Sequence, residues 1–182
     1  YKECYFMDFD KITQIRLLKE DYKKIERYPH YKLVYIDKKN YLQYTSELKT
    51  VNEYVNKQLP NWEESPTHSD IPERFNRNSH CLMFFYKNNP IGWNWANPNV
   101  TLDWKNSIQE LYDDELYGGG CFVTNLVDRP SNAGLINYNM IFEYWIEVMG
   151  YNIVYGYIDN WNKVAFRVNF QNGLKPYNFI NE

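Results

Sequence analysis

The sequence lacks most of the features that assign a function at sight. Its net charge is only −3. That gives no global basic field for duplex nucleic acid. No apolar run reaches the roughly 18–20 residues a membrane-spanning helix needs, so no membrane partner is expected. No charged segment followed by an apolar core opens the chain at Tyr1, so no signal peptide is visible, and the absent Met suggests a trimmed start. Cysteine is scarce: Cys4, Cys81 and Cys121 are odd in number and far apart. A disulfide framework is not expected, and a reducing, cytoplasmic interior is.

Metal chemistry has equally little to work with. Histidine is limited to His30, His68 and His80, and no CxxC occurs. Zinc needs about four imidazole, thiolate or carboxylate ligands close together, so no metal is expected. There is no GxxxxGK[ST] phosphate loop and no GxSxG nucleophile elbow. Alanine appears only at Ala96, Ala133 and Ala165, whereas aromatics make up 19% of the 182 residues. With 44% hydrophobic residues, this is a chain that folds around a core. Its length suits one domain, 1–182, with a helix-rich half over 1–79 and a second half over 80–182.

Periodicity sketches the elements. Residues 4–9 (CYFMDF) read as a short strand. Ile12, Ile15, Leu18, Tyr22 and Ile25 recur at helical spacing, which predicts a helix from Asp10 to the turn before Pro29. Residues 31–36 read as extended, 41–59 as a helix stopped by Pro60, and 60–79 as a loop with one helical turn near 73–76. The clearest hairpin is 80–87 and 91–96 around Asn88-Asn89-Pro90, with Trp93 and Trp95 alternating against Gly92, Asn94 and Ala96. Residues 100–117 read as a short helix or irregular segment, and Gly118-Gly119-Gly120 as the lead-in to a strand over 121–127. A nearly all-apolar helix follows over 133–149, its polar stripe being Asn139, Glu143 and Glu147, with Gly150 as its stop. A strand over 152–158, a helix over 162–172 and a strand over 174–180 complete the chain. This alternation predicts an α/β (α+β) fold with at least one parallel strand pair.

One segment carries a specific logic. The strand at 121–127 runs through Asp128 into RPSNAG (129–134) and then into the apolar helix. Small residues at a helix start present backbone N–H groups with the helix dipole behind them, which suits a phosphate. Capping by Ser131 or Asn132 explains the same residues without a ligand.

At this point the chain resembles the Gcn5-related N-acetyltransferase (GNAT) family. RPSNAG is similar to that family's Q/R-x-x-G-x-G/A motif, with Asn132 in place of the first glycine. Asn162, Ala165, Asn169, Gly173 and Leu174 fall at the spacings of the family's later Asn-x-x-Ala-x-x-x-Tyr-x-x-x-Gly-Phe helix. The hairpin HCLMFFYKNNPIGW looks like the family's second and third strands.

The resemblance implies a mixed central sheet, flanked by helices, whose fourth and fifth strands splay apart around acetyl-CoA or another acyl-CoA. It implies that amides near Leu126 and Val127 meet the pantetheine arm. Arg129, Asn132, Ala133, Gly134 and Leu135 would hold the pyrophosphate, and Asn162 would contact the arm. An amine of a small-molecule or peptide acceptor would attack the thioester directly in a ternary complex, in a pocket drawn from Trp93, Trp95 and Trp104.

Two departures stand out. Asn132 replaces a glycine, although Asn tolerates left-handed backbone. Asn169 stands where the family often places a Tyr, and a carboxamide donates a hydrogen bond without being an acid. Asp159, at a strand end, is the nearest candidate base, or else caps the next helix. Two other readings stay open: a GNAT-fold binding or structural module that has lost catalysis, and a fold-mate that modifies nucleobases or transfers aminoacyl groups. The oligomeric state is left open.

Overall fold

The computed structural model describes residues 11–26, 29–58, 70–98, 102–104, 107–109, 111–123, 127–128 and 130–181. The expected strand at 4–9 lies outside them. So do Leu126 and Arg129.

Seven strands form one sheet. In chain order they are β1 (Lys11–Leu18), β2 (Tyr31–Ile36), β3 (His80–Tyr86), β4 (Asn89–Pro98), β7 (Glu115–Val123), β8 (Ile153–Asp159) and β9 (Lys175–Asn181), and the spatial order is β2-β3-β4-β7-β8-β1-β9. A separate hairpin pairs β5 (Leu102–Trp104) with β6 (Ser107–Gln109). The helices are α1 (Thr45–Gln58), α2 (Asp70–Asn76), α3 (Ala133–Glu143) and α4 (Lys163–Gln171). Every neighbouring pair in the main sheet is antiparallel except β7–β8, which is parallel. This is the expected mixed sheet flanked by helices.

The largest departure from the sequence reading is β1, where a helix from Asp10 to the turn before Pro29 was expected. Ile12, Ile15 and Leu18 fit a helical stripe, but Thr13, Gln14, Ile15 and Leu17 are buried and Leu18 is only half-buried, and Thr13, Ile15 and Leu17 alternate along one face of a strand. The segment lies between β8 and β9 and pairs with both. Ladder bonds on both edges and burial against the core outweigh a weak local preference. A short 3-10 turn at Lys19–Asp21 ends the strand. The first half of the chain is therefore less helical than its periodicity suggests.

The other corrections are local. The 102–109 segment is the β5–β6 hairpin rather than a helix. The triple glycine lies inside β7, which starts at Glu115. The β3–β4 turn sits at Lys87 and Asn88, both at positive φ (48° and 63°), one residue before the Asn-Asn-Pro expected. Two left-handed residues in a row match the right-handed twist of a hairpin. After Glu143, α3 widens into a π-type turn at Tyr144–Val148, and Gly150, at φ 83°, closes the segment.

The core lies on both faces of the sheet. On one, α3 and α4 cover Leu17, Leu82, Phe84, Leu116, Val154 and Ile158. On the other, α1 and α2 bring Leu48, Val51, Val55, Ile71 and Phe75 against Met83, Trp93 and Trp95. Asn139, read from the sequence as part of a polar stripe, is buried. Its Nδ2 donates to Asn172 Oδ1 (2.9 Å) and to the Lys23 carbonyl (2.8 Å), and its Oδ1 accepts from Ile25 N–H (3.1 Å). It thus ties the connection after β1 to α3 and α4. Among the described residues no helix is long and apolar enough to cross a membrane.

Candidate functional site

The site begins where the sheet opens. The β7–β8 ladder joins only Glu115 to Ile153, Leu116 to Val154 and Tyr117 to Tyr155. β7 continues to Val123 and β8 to Asp159 without further pairing between them. The strands part just past Gly118 and Gly156. A Cβ on Gly118 would lie 3.5 Å from the Tyr155 carbonyl oxygen, and one on Gly156 3.6 Å from that of Gly118. On its other edge, β7 stays paired with β4, whose register shifts between Asn94 and Ala96. Such a bulge bends the strand locally.

β7 ends at Val123, and α3 begins at Ala133. Asn132 is the N-cap, at φ −91° and ψ 9°, with no side-chain capping bond. The left-handed conformation that a glycine would have served is not used, so Asn132 sits there without strain. The amides divide. Ala133 N–H donates to the Pro130 carbonyl at 3.0 Å and Ile136 N–H to that of Asn132 at 3.1 Å. The N–H groups of Gly134 and Leu135 meet no acceptor among the described residues. Of the four amides that the resemblance assigns to phosphate, those of Gly134 and Leu135 are thus left open among the described residues, as first-turn helix N–H groups commonly are, while Ala133's is already spent. Val127 is half-buried against the α3–α4 core.

The remaining candidates sit on α4 and its approach. Asn162 caps that helix, its Oδ1 accepting from Ala165 N–H at 3.0 Å. Asp159, half-buried at the end of β8, accepts from Asn162 N–H through its carbonyl at 2.8 Å, so the helix cap is Asn162 and not Asp159. Asn169 is buried, and its Nδ2 donates to the Ala165 carbonyl at 2.8 Å, within its own helix.

Two of the three expected pocket tryptophans are placed elsewhere. Trp93 and Trp95 are 0% and 1% exposed, packed under α1 and α2. They fill the core because β4 is central and that face is covered by a helix layer. Trp104 lies on β5, outside the main sheet.

Sequence reasoning passed over the tyrosines beside the opening. Val154 and Ile158 point to the α3–α4 face, so alternation puts Tyr155 and Tyr157 on the other one. Tyr155 donates to Glu115 Oε1 at 3.0 Å, and its ring lies 5.7 Å from that of Tyr177. Burial, followed by the Glu115 hydrogen bond, pushes the Tyr155 hydroxyl up to about 12. Tyr157 meets Tyr117 edge-to-face at 5.4 Å and is also raised by burial. The Arg16 guanidinium lies 4.4 Å from the centre of the Tyr177 ring. The signal was available as the alternating Tyr-Gly-Tyr of 155–157. Among the described residues no group of His, Cys, Asp or Glu is placed to hold a metal ion.

No protein-family model matches the sequence, and no curated protein sequence matches it. Solved structures do. A GCN5-related N-acetyltransferase from Kribbella flavida is 10% identical, with a TM-score of 0.55 over 91% of this chain and 54% of its own. A tandem GNAT protein from the clavulanic acid biosynthesis pathway is 11% identical, with a TM-score of 0.57 over 94% and 52%. The aminoglycoside N-acetyltransferase AAC(6')-Iy, in complex with CoA, is 12% identical, with a TM-score of 0.55 over 85% and 93%. The chain spans about half the length of the first two. At these identities the likeness concerns the fold. The parted β7 and β8, the amide-bearing start of α3 and these superpositions agree: the chain has the fold of the GCN5-related N-acetyltransferases.

Proposed function

We propose that this protein is an acyl-CoA-dependent N-acyltransferase, acting on an amine of a small molecule or peptide. The observation that carries the reading is the pair of unclaimed N–H groups on Gly134 and Leu135 at the wide end of the β7–β8 opening. An anionic, extended ligand fits that combination: phosphate on the amides, arm between the strands. The aminoglycoside acetyltransferases among the neighbours, one in complex with sisomicin and one with CoA, support an amine acceptor and a CoA donor. Bound there, an acyl-CoA supplies an activated thioester: the amine nitrogen bonds the acyl carbon, the carbon–sulfur bond breaks, nitrogen loses a proton and sulfur gains one.

In this reading the chain binds and orients. Gly134 and Leu135 hold the phosphates, joined by Asn132 and Arg129, and the backbone near Leu126 and Val127 meets the arm. Tyr117, Tyr155 and Tyr157 form an aromatic wall beside the reacting end, suited to stacking on a sugar or ring. Asp159 is the carboxylate at the rim of β8 that takes the amine's proton. Asn169, already bonded to its own helix, is no proton donor, so the departing sulfur takes its proton from water.

Calorimetric titration with acetyl-CoA, and with dephospho-CoA for comparison, tests the site. Gly134 leaves room for a Cβ, whose nearest neighbour would be Val168 Cγ2 at 3.9 Å. Gly134→Ala is therefore expected to keep both fold and binding. Gly134→Glu puts a carboxylate where the phosphates go and is expected to abolish binding with the fold intact. Equal affinity in all three proteins would remove the site from α3. A second reading, a module that keeps the fold without catalysis, draws on the buried, helix-bound Asn169. Its mark would be the absence of acetyl-CoA binding in a well-folded protein.

A further inference from the structure

Asn137 is fully buried, at 0% exposure, and neither its Oδ1 nor its Nδ2 has a hydrogen-bond partner among the described residues. No other described side chain is left this way on both polar atoms. An unpaired buried polar group costs about 1–3 kcal/mol. A leucine of similar size would fill the place without that penalty. Groups of this kind in folded proteins call for a missing partner.

The position says where that partner comes from. Asn137 lies on the stripe Ala133, Asn137, Ile141, spaced by four. Ile141 belongs to the core between α3 and the sheet, and Tyr144 farther along stacks on Tyr35 of β2, 5.4 Å between ring centres. The stripe thus faces the sheet. Asn137 sits one turn into α3, on the part of the helix that follows the wide end of the β7–β8 opening. It is one turn beyond the unclaimed N–H groups of Gly134 and Leu135.

We propose that the Asn137 carboxamide recognises the amide-bearing arm of an acyl-CoA, its Nδ2 donating to the carbonyl of one arm amide and its Oδ1 accepting from the N–H of the other, since the N–H and C=O of a single trans amide point apart. A carboxamide is the chemical complement of an amide, because each offers one acceptor oxygen and an N–H donor. The inference rests on the acyl-CoA reading and adds to it a side chain that recognises the arm rather than the phosphates.

The test uses two ligands and two proteins. CoA carries the amides, whereas adenosine 3′,5′-bisphosphate carries phosphate without them. Wild type and Asn137→Leu are titrated calorimetrically with each and melted without ligand. The expected result is a loss of about tenfold or more for CoA, the scale of a desolvated hydrogen-bond pair. Affinity for adenosine 3′,5′-bisphosphate should not change, and the unliganded melting temperature should rise. Undiminished CoA affinity, or an equal loss for both ligands, overturns the role given to Asn137 while leaving the cofactor site in place. A wild type that binds neither ligand overturns the cofactor reading itself, and this inference with it. Asn137→Ala guards against a leucine that repacks the helix, since it deletes the carboxamide without adding bulk and is expected to show the same selective loss.

Discussion

The indole N–H of Trp93 donates to Asn52 Oδ1 over 2.8 Å, joining the middle of the sheet to the buried face of α1. Both residues are at 0% exposure. Asn52→Ala would remove the acceptor of the indole N–H and leave a small cavity beside it. It is expected to destabilise the protein by about 2 kcal/mol or more. Urea unfolding checks this; a change under about 0.5 kcal/mol, the range of ordinary surface substitutions, would mean that the bond holds nothing together.

Two glycines separate backbone conformation from space. Gly150 and Gly173 both have positive φ, 83° and 93°. Nothing lies within 4 Å of a Cβ at Gly150, whereas a Cβ at Gly173 would come 2.6 Å from the Asp21 carbonyl oxygen. Gly150→Ala should cost about 1 kcal/mol, the ordinary penalty of left-handed backbone. Gly173→Ala should cost clearly more, because the Asp21 turn has to move. Comparable melting temperatures for the two variants would contradict the close approach.

His80 supplies a pH signature. Its Nδ1 is hydrogen-bonded to the Tyr35 hydroxyl, and the ring packs against those of Tyr35 and Trp145, with Asp37 the nearby charge. Burial lowers its pKa below the usual 6.5, against a weaker opposing pull from Asp37. The unfolded chain then takes up a proton as pH falls through about 6.5, where the folded protein does not yet. Protonation thus favours the unfolded state, so stability should be flat above that pH and fall below it. The difference in melting temperature between wild type and His80→Gln, followed from pH 8 to 5, isolates this residue, since carboxylates titrate in both. A difference that does not vary with pH would show that His80 is protonated alike in both states.

Asn169→Tyr decides between packing and chemistry on α4. The buried site, with its amide bound to the Ala165 carbonyl, has to accommodate a larger ring. The expected outcome is a loss of about 1–3 kcal/mol from overpacking and no gain in acyl transfer. Retained stability with faster turnover would show instead that the position opens onto the reacting thioester.

How much of this was legible in the sequence depended on the distance over which each feature is decided. The β3–β4 hairpin, β2, α1 and the α3 and α4 segments are set by local period and by punctuation such as Asn88 and Gly150. β1 was misread because its nature is decided by partners at the far end of the chain: Thr13 Oγ1 donates to Asn160 Oδ1, 147 residues away. Trp93 and Trp95 alternate as a strand should, but no local rule says that α1 covers them. Asn137 lay unremarked in an apolar run, because a buried polar group is identified by missing partners and not by its neighbours in sequence. The start of α3 was the legible part of the candidate site, since a tight turn of small residues before a helix is a local pattern.

β1 enters the sheet between β8 and β9, two strands that follow one another in the chain with α4 between them. Among the earliest described residues to leave the ribosome, β1 is also among the last to find its ladder, because its neighbours are synthesised at the other end. The β1–β8 ladder can close only after β8 has been made and the β1–β9 ladder only after β9, so both depend on contacts of long sequence separation, which slow folding. Until then β8 and β9 have no shared neighbour. Supplied as a separate peptide, the β1 segment is expected to complement a chain that lacks it by adding a strand between β8 and β9.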